Sequence, residues 1–143
     1  PDLAGARVYT EAGVHEVALS FRWGKAKPVV VVTGHSIGEK LEWRGIKTKQ
    51  GFQPHAAILR IVVKDYEKDQ QPHNVWGVTR MEKRNACLMA VIDEAANPDA
   101  LNMACATADA EAPSASCATL KPKIGGVETR WAKEATGVSY PPK

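Results

Sequence analysis

The stretch Gly34-His35-Ser36-Ile37-Gly38 comes after an apolar run, Val29 to Val32, and fits the G-x-S-x-G pattern of a nucleophile elbow. The chemistry there would be acyl transfer. Ser36 would be the nucleophile, and Asp65 or Asp69 followed by His73 would supply acid and base in the required chain order. That mechanism needs a strand turning sharply into a helix, and a Ser36 hydroxyl within hydrogen-bond reach of a histidine. The segment beyond Gly38, EKLEWRG, alternates like a strand and ends in Gly45, so no helix is supplied. The flanking segments read as antiparallel and hairpin-connected, and 143 residues are too few for the crossovers of a hydrolase sheet. The plainer expectation is a hairpin turn bounded by Gly34 and Gly38. A serine hydrolase is the least favoured of three functional readings.

Other reactive residues are scattered. His15, His35, His55 and His73 contain no i, i+4 pair and no H-x-H, so no metal or cofactor is expected. Asp93, Glu94, Asp99, Asp109 and Glu111 cluster, but without the alternating oxygen ligands around a glycine that a calcium loop needs. Trp23, Trp43, Trp76 and Trp131 lie on strand-like segments close to Arg22, Arg44, Arg80 and Arg130. Core and sheet-face packing is the expected role, with a cation–π ladder or ligand platform as the alternative. The cysteines, Cys87, Cys105 and Cys117, show no C-x-x-C spacing, and their odd number allows one disulfide and one thiol. Cys105 falls on a helical apolar face as a small hydrophobe. A bridge from Cys87 to Cys117 would fasten a helix to a sheet and, over a loop of about 30 residues, contribute roughly 3–4 kcal/mol.

These residues need a scaffold, and the chain is long enough for a single domain with a real core, residues 1–143. Its 44% apolar and 24% charged residues are ordinary for a globular protein. The net charge of +3 is modest, and no dense basic run marks a nucleic-acid arm. No apolar run approaches the ~20 residues of a membrane span. VHEVALSFRW alternates with period two, GKAK reads as a turn, and PVVVVTG completes a hairpin. EKLEWRGIK, PHAAILRIVVKDY, NVWGVTRM and ACLMAVID give four further strands, the last three as a meander. Asn97 as N-cap, Pro98 and Asp99 then open a helix with Leu101, Ala104, Cys105 and Ala108 on its apolar face, ended by Pro113. ATLKPKIGG reads as irregular, VETRWAK as a last short strand, and residues 133–143 as an extended tail. The expected fold is α+β: a twisted antiparallel sheet of about six strands with one helix packed on a face.

Two segments resemble a known group. In the first, Arg44-Gly45 is followed by Gly51, Phe52, Pro54, Ala56, Ile58 and Arg60. In the second, Cys87 is followed by Ile92-Asp93, Ala96-Asn97, Ala100, Ala104 and Ala108-Asp109, with Cys117 closing the unit. Together they resemble small exported proteins of alphaproteobacteria, of the Rhizobiales type, whose function is unknown. The departures are Phe52 directly after Gly51, Ile92 in place of Val, and the Pro-ended tail. The resemblance implies export to the periplasm or beyond, a Cys87–Cys117 disulfide and a free Cys105, and it transfers no catalytic residue.

The leading expectation is therefore an exported, non-catalytic interaction or structural protein that joins a protein partner or itself. It predicts a large apolar patch or an unpaired strand edge. The alternative is a periplasmic domain for a small ligand or anion, using Arg44, Arg60 and His55, and it predicts a concave pocket with convergent arginines.

Overall fold

The structure, a computed structural model, describes residues 6–12, 17–27, 29–34, 36–64 and 71–136. It is α+β, as expected. The strands are β1 (Ala6–Ala12), β2 (Val17–Trp23), β3 (Val29–Gly34), β4 (Ser36–Thr48), β5 (Gly51–Lys64), β6 (Pro72–Glu82), β7 (Asn85–Asp93) and β8 (Lys123–Ile124). The helices are α1 (Ala100–Glu111) and α2 (Arg130–Ala135). β1-β2-β3 form one sheet and β4-β5-β6-β7-β8 another; every pairing is antiparallel except the short β7–β8 contact.

Strand β5 explains the layering. Its central run, AAILRIVV, is apolar on both faces because both faces are covered. Ala57, Leu59, Ile61 and Val63 meet Leu19, Phe21, Trp23 and Val31 of the smaller sheet, together with Ala132 and Ala135 of α2. Ala56 and Ile58 join Val78, Met89, Ala90 and Ile92 against α1. A bulge puts both Met89 and Ala90 on that side: Val78 pairs with Ala90 while Thr79 pairs with Leu88. Helix α1 presents Ala100, Ala104 and Ala108, continued by Ala112 in the following turn. This i, i+4 stripe of methyl groups lets the helix approach the sheet closely.

Several sequence expectations are corrected. Gly34 and Gly38 do not bound a hairpin: β3 belongs to one sheet and β4 to the other, so the chain crosses between sheets there. Strand β1 extends the smaller sheet beyond the expected pair. Helix α1 starts at Ala100 with Asp99 at the N-cap, which leaves Pro98 outside. Asn97 is buried, and its amide donates to Asp93 O at 2.9 Å and accepts from Val127 N at 3.0 Å. These bonds engage the Asn97 side chain in place of a cap, and they need Gly126, where a Cβ would stand 2.1 Å from Asn97 Oδ1. Leu101 is exposed rather than on the packed face. VETRWAK is not a strand: Thr129 caps α2, its hydroxyl accepting from Ala132 N at 3.2 Å. Lys133 to Ala135, placed in the tail, belong to this helix, while residues 137–143 lie outside the described residues. Cys87 and Cys117 form the disulfide, with Cα atoms 5.7 Å apart, and Cys105 is free.

Candidate anion-binding site

Consecutive antiparallel strands put alternate turns at one end of a sheet. The β4–β5 turn and the β6–β7 turn therefore share an end, and the β2–β3 turn of the other sheet meets them there. Between the three lies a cavity of about 640 Å³. Trp23 and Gly24 line it from β2, Gln53, Pro54 and His55 from β5, and Arg80, Met81, Glu82, Lys83 and Arg84 from the β6–β7 hairpin. Its volume falls in the range of small-molecule sites, and it is a cleft open to solvent rather than an enclosed pocket.

Local sequence builds each wall. Gly45 pairs with Pro54 but Arg44 pairs with Ala56, so β5 bulges at His55. Only glycine fits at position 45, since a Cβ would stand 2.0 Å from Gln53 O. The β6–β7 turn has two residues, Lys83 and Arg84, between the paired Glu82 and Asn85. Arg84 takes φ +57°, a left-handed conformation that favours glycine and costs an ordinary residue roughly 1–2 kcal/mol. Beneath the turn, Arg80 Nε donates to Ala115 O at 3.1 Å and Glu82 Oε1 accepts from Cys117 N at 2.6 Å. The disulfide segment thus holds two of the lining side chains.

The electrostatics are one-sided. Arg80, Lys83, Arg84 and His55 face the cavity, and Glu82, the one acid of the lining, is engaged by Cys117 N and lies 3.8 Å from Arg80 Nε. An anion entering the cavity meets charge-assisted donors and no free carboxylate of the lining.

Of the three residues singled out in sequence, the cavity gathers one, His55. Arg44 reaches α1 and binds Asp109 with two nitrogens, Nε donating to Oδ1 at 3.1 Å and Nη2 to Oδ2. This pairing raises the Arg44 pKa and holds the Asp109 carboxyl below the usual carboxylate range. Arg60 Nη2 donates to Glu94 Oε1 at 2.7 Å, and its guanidinium lies 4.7 Å from the Trp76 ring centre. Arg44 is opposite Ala56, four residues along β5 from Arg60 and so roughly 13 Å away. The two arginines do not converge; each closes an intramolecular ion pair.

The remaining candidates separate in the same way. Ser36 begins β4, a strand of 13 residues, so the strand-to-helix elbow is absent. His15, His35, Asp65 and Asp69 lie outside the described residues. His73 stacks on Trp131 with ring centres 3.7 Å apart. Trp23 and Trp43 flank Phe21 in the core, whereas Trp76 and Trp131 each carry an arginine, Arg60 and Arg130. Cys105 Sγ donates to Glu42 Oε2 at 3.1 Å; burial, and then this bond, push its pKa up to about 11. Among the described residues no group of three His, Cys, Asp or Glu is placed to hold a metal ion. No described helix is long and apolar enough to cross a membrane. No family model, curated protein or solved structure matches the chain.

The signal for this site is present in three turn sequences, GKAK, TKQG and EKRN. Each reads as a polar turn alone. Only the strand order brings them together.

Proposed function

We propose that this chain is a non-catalytic anion-binding domain of an oxidising, extracytoplasmic compartment, periplasmic or secreted. The observation that carries the reading is the cavity lined by Arg80, Lys83, Arg84 and His55, whose single acid is already engaged. The disulfide supports an oxidising compartment, and the resemblance to exported alphaproteobacterial proteins supports export. Three of the lining side chains, Arg80, Lys83 and Arg84, are cations, a composition that suits holding an anion.

At the β4 edge the geometry supports this reading over assembly through strand pairing. Strand β4 is a free edge of the larger sheet, but it has two register shifts against β5 and carries Lys40, Glu42, Arg44 and Lys47. Bulges and charges guard an edge against pairing. The test is titration of the intact protein with pyrophosphate and citrate, read by calorimetry and by Trp23 fluorescence. Saturable binding with Kd below about 1 mM is expected, weakened about tenfold or more by Arg84→Glu. No saturable signal up to about 10 mM of either anion would overturn the reading.

A further inference from the structure

The cavity accounts for three of the cations at its end of the molecule, Arg80, Lys83 and Arg84, and leaves others unexplained. Lys25 and Lys27 sit on the β2–β3 turn, Lys47 and Lys49 on the β4–β5 hairpin, and Lys83 and Arg84 on the β6–β7 turn. All six are exposed, and among the described residues none is in an ion pair. Elsewhere most cations are engaged: Arg44, Arg60, Lys123, Arg130 and Lys133 bridge to carboxylates, while the exposed Lys40 and Lys121 stand singly with no ion pair among the described residues. Six cations exceed the +3 of the whole chain, so the rest of the molecule is net acidic. Residues 24–27 and 45–55 contain no Asp or Glu. The charge is therefore segregated onto one end, and the fold, not a sequence run, achieves it.

A single small anion bound at Arg80, Lys83 and Arg84 leaves Lys25, Lys27, Lys47 and Lys49 without a role. From the strand spacings, the centres of neighbouring turns are separated by roughly 10 Å. That is about one Debye length at physiological salt, so one charged group in the cavity does not satisfy all three turns. A chain of linked charges does. Resting on the anion-binding reading, we infer that the ligand is a flexible acidic polymer: one phosphate or carboxylate group enters the cavity and its neighbours lie along the lysine turns. The β4–β5 arm is preorganised for this. Thr48 Oγ1 donates to Gly51 O at 2.8 Å and accepts from Gln50 N at 3.2 Å, so the tip carrying Lys47 and Lys49 is closed by its own bonds.

Two other polyanions fit the same charge less well. Single-stranded nucleic acid is held by exposed aromatic platforms, and at this end Trp23 is only 8% exposed while Phe52 alone is open at 40%. An anionic membrane rewards apolar side chains at the leading edge. Here the exposed Ile46 and Phe52 lie behind a polar tip and on opposite faces of the ribbon, since Ile46 pairs with Gln53 and Lys47 with Phe52.

The test measures binding of the intact protein to linear polyphosphates of about 3, 15 and 60 units at two salt concentrations. Affinity is expected to rise about 100-fold from the shortest chain to the longest, with a salt dependence of about four to six released ions for the longest and one or two for the shortest. Lys47→Gln with Lys49→Gln, outside the cavity lining, is expected to weaken long-chain binding about tenfold or more and tripolyphosphate binding much less. Equal affinity for all lengths, or indifference of the long chain to these substitutions, overturns the inference while leaving the cavity reading intact. Failure of every chain to bind removes both. Polyglutamate of matched charge separates the sources: binding equal to polyphosphate assigns an acidic polymer of either group, and weaker binding assigns phosphate. Tighter binding of a matched oligonucleotide overturns the inference in favour of nucleic acid.

Discussion

The disulfide should matter twice, for the fold and for the cavity. Cys87 and Cys117 are 30 residues apart in sequence, and a closed loop of that length removes about 12 cal/mol/K from the unfolded chain, or about 3.6 kcal/mol at room temperature. At about 2.1 cal/mol/K per residue, the unfolding entropy of 143 residues is about 0.3 kcal/mol/K. The double variant Cys87→Ala, Cys117→Ala should therefore melt about 12 °C below the oxidised protein, followed by circular dichroism with a urea series for the free energy. The second effect is local. The bridge keeps Ala115 and Cys117 against β6, where Ala115 O accepts from Arg80 and Cys117 N donates to Glu82. Without it, both lining side chains lose a partner, and pyrophosphate affinity should fall well below the melting temperature of the variant. A melting shift under about 4 °C would refute the loop argument. An unchanged affinity in the folded variant would show that the 115–117 segment does not position the cavity.

Two further predictions test strain and titration. Arg84→Gly relieves the left-handed φ of +57° at the β6–β7 turn; set against the greater unfolded-state freedom of glycine, the net gain is about 0.5–1 kcal/mol in urea unfolding, with weaker anion binding. Loss of stability instead would show that the Arg84 side chain holds the turn. The Cys105 thiol, pushed up to about 11 by burial and by its bond to Glu42, should have about 90-fold less thiolate at pH 8 than an ordinary cysteine, and after allowance for the greater nucleophilicity of its thiolate should alkylate about tenfold more slowly. Its alkylation rate should keep climbing with pH to about 11, and a plateau near pH 9 would contradict the burial and the Glu42 bond.

Strand content, the meander β5–β6–β7 and the principal helix are legible in the sequence because each is local. Period-two alternation marks half-covered strands, and the shift to helical spacing after Asp93 marks α1. Pairing is less legible. Gly34 and Gly38 look like turn glycines, yet the chain passes between sheets there, and Gly38 instead lies against Arg60, whose Cβ would be 3.1 Å from a Cβ at position 38. The phase of α1 is hidden for a related reason. Leu101 is the largest residue of the expected buried face, but it is exposed; the interface is built on the Ala100, Ala104, Ala108 and Ala112 methyl groups, with Met103 and Cys105 packed partly against it. Arg44 and Arg60 stand out in sequence as cations on neighbouring strands. Their acids, Asp109 and Glu94, come from 65 and 34 residues away, a distance across which spacing carries no information.

The same long-range pairing divides the molecule into two ends with different work. At one end Asp93, 3% exposed, accepts from Ala95 N at 3.0 Å and from Thr129 Oγ1 at 2.6 Å, and its backbone carbonyl accepts from Asn97. This network joins β7, the entrance to α1 and the cap of α2, and its polar groups are engaged with one another. Asn85, at the other end of β7, is eight residues away, roughly 27 Å along the strand. There the turns hold lysines with no ion-pair partner among the described residues, and a left-handed arginine, arrangements that add nothing to stability. Like charges gathered on adjacent turns raise the energy of the folded protein unless an anion screens them. A fold that satisfies Asp93 and Asn97 internally but leaves Lys25, Lys27, Lys47, Lys49, Lys83 and Arg84 facing solvent is stabilised at one end and carries at the other the charge that the proposed anion would neutralise.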